Sequence, residues 1–181
     1  QKTFCRLTGG LPDATTPAVT QVTLTAGNPW AALSPLILKI RGINGADGRY
    51  IDPVNYEDLQ ERRIKLDARV DKPTTLILGM ETDKVRAYPV PSADEVLALL
   101  VYRLPLKTID DFDQKLEIAA QHHTALLMWM KHLAYSKQDA ETYDKGKAEE
   151  FEAAFEKYCF GASIEKGVAK HKTRSVMYGG L

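Results

Sequence analysis

The sequence predicts an α+β protein: an antiparallel β-rich domain, then a C-terminal antiparallel helical hairpin and an extended C-terminal arm. Three observations carry this. Short β-branched and apolar runs, alternating or continuous and punctuated by Gly, Pro, Asn and Asp, fill the first part of the chain. After Asp110 and Asp111 the apolar period changes to three and four residues. From Lys166 the chain turns basic and loses its period. The expected boundaries are 1–18 for an N-terminal segment, 19–108 for the β-rich domain, 109–165 for the hairpin and 166–181 for the arm.

Taken in order, VTQVTLTA at Val19 to Ala26 alternates polar with small or apolar residues and predicts a half-buried strand stopped by Gly27. Leu36 to Ile43 predicts another. Asn44, Gly45, Asp47 and Gly48 tolerate positive φ, so the run into Arg49, Tyr50 and Ile51 closes a hairpin. Across Asn55 to Asp67, Tyr56, Leu59 and Arg63 fall near helical spacing, with acids early and bases late as the helix dipole prefers. Lys72 and Pro73 break the chain before TTLILGM, a buried strand. Glu81, Thr82 and Asp83 then turn it into KVRAYPVP, with Val85, Ala87 and Pro89 on one face and Arg86 and Tyr88 on the other. Along Val96 to Pro105 the same alternation sets Leu97, Leu99, Val101 and Arg103 opposite Val96, Ala98, Leu100 and Tyr102.

The helical part reads as two elements. From Leu116 to Gln138, the positions Leu116, Ala119, Ala120, His123, Leu126, Leu127, Met130, Leu133 and Ala134 form a broad apolar stripe. From Asp144 to Phe160, Ala148, Phe151, Phe155 and Tyr158 or Cys159 share a face opposite Lys147, Glu149, Glu150, Glu152 and Glu156, and Gly161 is expected to stop the helix. Two helices alone bury little, so these faces call for the sheet, further N-terminal helices or neighbouring subunits.

Composition narrows the function classes. Lys plus Arg and Asp plus Glu each number 24, so no global field draws nucleic acid, an anionic membrane or an acidic substrate. No apolar run approaches the roughly 18 to 20 residues of a spanning helix, and no membrane contact is expected. Cys5 and Cys159 lie far apart without metal or redox spacing and are expected to be free thiols. The chain opens on Gln1, and an N-terminal segment continuing from helices upstream is expected.

No catalytic constellation is legible. His122 and His123 are neighbours that a helix turns about 100° apart, and His132 adds no HExxH pattern, so packing or hydrogen bonding accounts for them better than a metal. None of Ser34, Ser92, Ser136, Ser163 and Ser175 sits in a GxSxG elbow. The glycines at 9–10 and 42–48 lack phosphate-loop spacing. Asp110 with Asp111 and Glu149 with Glu150 read as a helix start and a solvated face. We therefore expect no enzyme, no metal and no cofactor. Lys170, His171, Lys172 and Arg174 with Val176, Met177, Tyr178 and Leu181 read as an arm that docks on another protein, because apolar residues on a coreless tail need a partner to bury them.

Four stretches, AYPVP at Ala87 to Pro91, LLVYRLPL at Leu99 to Leu106, LEIAAQHHTALLMWMKHLAYSKQDAETYD at Leu116 to Asp144 and KAEEFEAAFEKYCFG at Lys147 to Gly161, resemble the head-to-tail adaptor family of short-tailed bacteriophages, also called head-completion or tail tubular connector proteins. The resemblance covers about half the chain, on its C-terminal side, and AYSKQDAETYD with the Phe-spaced helix is its most specific part. It implies a structural protein made in the host bacterial cytoplasm and placed at the head-tail junction of the virion. There it would form a homo-oligomeric ring of about twelve copies, bound to the portal protein and offering a face to the downstream tail or nozzle protein. DNA would pass through the lumen, during ejection, without sequence-specific binding. Within such a ring Leu126, Met130, Leu133, Phe151 and Phe155 are the expected ring-forming positions and the arm the portal-docking one. The family's opening helices are not found before Val19. The alternative reading is a β-sandwich carbohydrate- or peptide-binding module with a helical appendage, using aromatics such as Trp30, Tyr50 and Tyr56.

Overall fold

The computed structural model describes residues 1–61, 66, 68–109, 115–138 and 141–170, the last three by their backbone alone. The chain divides into two units, Gly9–Thr108 and Gln1–Thr8 with Ile109–Leu181. In chain order the elements are α1 (Lys2–Leu7), β1 (Leu11–Asp13), α2 (Pro17–Thr20), β2 (Gln21–Leu24), β3 (Trp30–Ala32), β4 (Ile37–Asn44) and β5 (Tyr50–Asn55). There follow α3 (Tyr56–Glu61), β6 (Val70–Asp71), β7 (Thr75–Glu81), β8 (Lys84–Tyr88), β9 (Val90–Pro91) and β10 (Glu95–Arg103). A 3-10 turn at Ala120–His122 leads into α4 (His123–Tyr135), and α5 (Lys145–Lys170) completes the set. The architecture is α+β, a curled antiparallel-rich sheet plus C-terminal helices.

Alternation along β10 organises the sheet unit. Leu97, Leu99 and Val101 are buried while Val96, Ala98 and Leu100 are exposed, as their period of two requires. β10 pairs with β1 and β2 along one edge and with β4 along the other, and the order β1-β10-β4-β5-β7-β8-β3 continues the sheet. All pairs on this path are antiparallel except β5 with β7. The inward faces meet in one core that includes Leu24, Ile43, Ile51, Leu76, Val85 and Leu97, each fully buried. Both expected hairpins form: Ile43 pairs with Ile51 across a turn holding Gly48 at φ 79°, and β7 turns into β8 at Asp83, φ 56°.

The strands β4 and β5 part after two residue pairs. Two register shifts against β10 bend β4, as bulges do. The Asp52 N–H donates to Thr74 on the β7 side, so the next residue, Pro53, turns its nitrogen toward β4, where it has no hydrogen to offer. Apolar Leu33, Ile37, Ile40 and Leu78 line the resulting cleft of about 500 Å³.

Several local expectations change. Val19 and Thr20 belong to α2, so the strand expected over Val19 to Ala26 is reduced to Gln21–Leu24. The cause is local side-chain chemistry: the Asp13 carboxylate accepts the N–H groups of Thr15 and Thr16, at 2.9 and 3.1 Å, and Pro17 occupies the first helical position. A helix also precedes Val19, since α1 buries Phe4 and Cys5. Of the helix expected over Asn55 to Asp67, Tyr56–Glu61 is formed; Arg63 lies outside the described residues, as do Asp110 and Asp111. Among the described residues the strands make one eight-stranded sheet and a two-stranded one, β6 with β9.

In the helical unit α4 begins at His123, later than Leu116, because the chain before it is committed elsewhere. Glu117 donates its N–H to the Gln1 side chain at 3.1 Å, and the Ile118 carbonyl accepts from His123 Nε2 at 3.0 Å. Asp144 caps α5 by accepting the Lys147 N–H at 3.0 Å. Gly161 does not stop α5, which continues to Lys170 and takes in the first residues of the expected arm. The buried face simply continues through it, from Phe155 and Cys159 to Ala162, so burial outweighs the glycine's weak helix propensity.

Candidate functional site

The two helices of the hairpin meet through an aromatic and histidine face. Trp129 stacks on His132 with centroids 4.8 Å apart and lies 5.1 Å from Phe155, while Tyr135 stacks on Phe151 at 5.8 Å. His132 Nδ1 donates to the Ala148 carbonyl at 3.0 Å, fixing that tautomer. Ala125 is fully buried on the same side of α4.

The apolar stripe that the sequence marks on α4 lies mostly on the other side. Met130 is 62% exposed, Leu127 55% and Leu133 48%, with Leu126 half-buried and Ala134 exposed. The packing that closes the hairpin therefore uses Trp129 and the histidines, and leaves the most periodic apolar residues in solvent. Of the five expected ring-forming positions, Phe155 is buried and Phe151 half-buried inside the hairpin, whereas Met130 and Leu133 are exposed. On α5, Phe160 is 70% and Ile164 51% exposed; both escape sequence reasoning because Gly161 reads as a helix end, although their spacing of four was the available signal. Lys170 ends α5 with its side chain outside the described residues, where His171, Lys172, Arg174, Val176, Met177, Tyr178 and Leu181 also lie.

A second histidine is structural. His122 packs 5.1 Å from Phe4 of α1, and its Nδ1 donates to the Tyr158 hydroxyl at 3.0 Å, whose own proton goes to the Gln121 carbonyl at 3.1 Å. Its Nε2 accepts from the Gln121 amide at 3.3 Å. Burial first, and then the nearby Lys166 and His123, push its pKa below the usual histidine value against an opposing pull from Glu165, so the ring is neutral near pH 7. Lys166 Nζ donates to the carbonyl and hydroxyl of Thr8, both at 3.3 Å, holding α1 on α5 from its C-terminal end.

Cys5 and Cys159 are buried and in no disulfide, and burial with the neighbouring Glu156 pushes the Cys159 thiol up to about 11, which disfavours the nucleophilic thiolate. No group of three His, Cys, Asp or Glu side chains among these residues could hold a metal ion. The β4–β5 cleft carries no histidine, cysteine or aromatic residue. A smaller cleft of about 210 Å³ is edged by Asp47, Arg49, Lys72 and Glu95, whose charges pair with one another. Neither cleft offers an aromatic platform for a sugar, and β7 and β8 separate Trp30 on β3 from Tyr50 on β5. No described helix is long and apolar enough to cross a membrane.

Comparison with known families gives a match over residues 1–171 to the family described as SU10 adaptor protein. No curated protein sequence matches the chain.

Proposed function

Since the chain belongs to the SU10 adaptor protein family, and is thus a structural component of a bacteriophage particle, we propose that it forms a homo-oligomeric ring between portal and tail. The ring would enclose a channel through which DNA leaves the capsid, and the phage would be of the short-tailed kind. The protein works by assembling, with no turnover of its own. The observation that carries the ring reading is the uncovered stripe of Leu127, Met130 and Leu133, since apolar side chains clustered on one helix face in solvent mark a surface that another chain covers.

In this reading the β-rich domain of residues 19–108 projects as one body and the helices of 109–165 build the ring wall. The C-terminal arm, with Lys170, His171, Lys172, Arg174, Val176, Met177, Tyr178 and Leu181, docks on the portal. One face meets the downstream tail or nozzle protein. Electron micrographs of the purified chain mixed with portal test this: rings seated on portal are expected, and persistent monomers without portal binding would overturn it. Deleting Lys170 to Leu181 is expected to leave the melting temperature unchanged and abolish portal docking. Equal loss of both would refute that division of labour.

A further inference from the structure

The hairpin carries two different uncovered apolar stripes, and helical geometry sets them on opposite flanks. On α4, Met130 is five residues from Ala125, which is about 140° around the helix from the buried side. On α5, Phe160 is likewise five residues from buried Phe155, with Ile164 one turn further along the same side. Each stripe thus points away from the contact that the two helices share.

Charge separates the stripes as well. No Asp or Glu occurs from His122 to Gln138, and the exposed charges of that stretch are Lys131 and Lys137. Around the α5 stripe the exposed charges are Glu156, Lys157 and Glu165, two acids to one base. An α4 stripe set against its own copy would bring lysines together with no acid between them. Set against α5 of another copy, it would meet glutamates, and the two stripes would bury each other.

Resting on the ring reading, we propose that copies join head to tail, the α4 stripe of each packing on the α5 stripe of the next. A two-fold dimer through one stripe would leave the other in water, whereas a closed head-to-tail series hides both on every copy. The interface positions are Leu127, Met130 and Leu133 from one copy and Phe160 and Ile164 from its neighbour, in place of Phe151 and Phe155, which the subunit uses internally.

The test uses two full-length variants, Met130→Asp and Phe160→Asp, followed by size-exclusion chromatography with light scattering, alone and beside portal. Each change puts a charge on a surface residue, so the helical circular dichroism should be unchanged; Leu127→Asp with Ile164→Asp is a second pair should either of the first fail to fold. Each variant alone should self-associate about a hundredfold more weakly than the unaltered chain. Mixed, they should form a one-to-one pair and stop, because each retains the half that the other lacks. If only Met130→Asp has an effect, copies meet through α4 alone and the proposal fails. If neither variant weakens assembly, copies meet elsewhere; the proposal fails while the ring reading stands. An unaltered chain that stays monomeric even beside portal overturns both.

Discussion

The sheet unit and the helical unit place their apolar residues by opposite rules. In the sheet unit strand alternation and burial coincide: Leu97, Ile43, Ile51, Leu76 and Val85 face one another and are wholly withdrawn from water. In the helical unit the most regular apolar positions are outside, and the inner contact is made by Trp129, His132, Tyr135, Phe151 and Phe155. A side chain that satisfies the local period is thus buried in one unit and exposed in the other.

The strongest test of that contrast compares Leu97→Ala with Met130→Ala. Removing the buried Leu97 side chain leaves a cavity and should cost about 4 kcal/mol in chemical denaturation followed by the β-sheet signal. Met130→Ala should change the stability of the isolated chain by no more than about 0.5 kcal/mol. A large loss at Met130 would mean that the α4 stripe is an internal core, and the contrast would collapse.

Next in size is the ion pair that ties β1 to β10. Arg103 Nε donates to Asp13 Oδ2 at 2.5 Å, and both residues are buried. Burial alone would raise the Asp13 pKa, but the Thr15 N–H, the Arg103 side chain and the Thr16 hydroxyl and N–H together outweigh it and hold the carboxyl well below the usual range. Asp13→Ala removes the carboxylate that the buried Arg103 side chain meets and should cost about 3 kcal/mol. Because the folded pKa is depressed, the stabilisation is complete above the ordinary carboxylate pKa of 3.8 and is lost as pH falls below it. Acid titration of the sheet unit should show this loss, and Asp13→Ala should remove it.

These residues also show how much the sequence discloses. The hairpins, the inward faces of β8 and β10 and the existence of two C-terminal helices follow from local period and turn chemistry, which act within a few residues. The α1 contact with α5 and the pairing of Asp13 with Arg103 depend on residues far apart in the chain, and no local pattern announces them. The α4 stripe was legible as apolar, but its direction was not. That is decided by Trp129 and His132, whose rings pack and hydrogen-bond better against α5 than aliphatic chains would. Gly161 misled for a related reason, since its neighbours Cys159 and Ala162 are held by tertiary burial that local propensity does not register.

A smaller effect sits in the helical unit, where α1 packs on His122. Tyr158→Phe removes the acceptor of the His122 Nδ1 proton and should cost about 1 kcal/mol at neutral pH. The folded pKa of His122 lies below its unfolded value, so the unit's stability is complete above pH 6.5 and falls as pH drops beneath it. Protonating Nε2 would turn a donor toward the Gln121 amide, with Lys166 adding repulsion. Melting the chain between pH 7 and pH 5 should show this decline, and His122→Phe should flatten it; an unchanged slope in that variant would place the titration elsewhere.

The smallest expected change runs in the stabilising direction. Gly161 sits inside α5 without a positive φ, and a Cβ built there meets nothing within 4 Å. Alanine should fit the existing backbone and restrict the unfolded chain, so Gly161→Ala should stabilise α5 by about 0.7 kcal/mol, read from the melting of the helical signal. A helix that ended here in a left-handed cap would respond with a loss, because alanine resists that conformation. The sign of one substitution therefore decides whether α5 carries Ile164 on the same face as Phe160, the condition on which the α5 stripe depends.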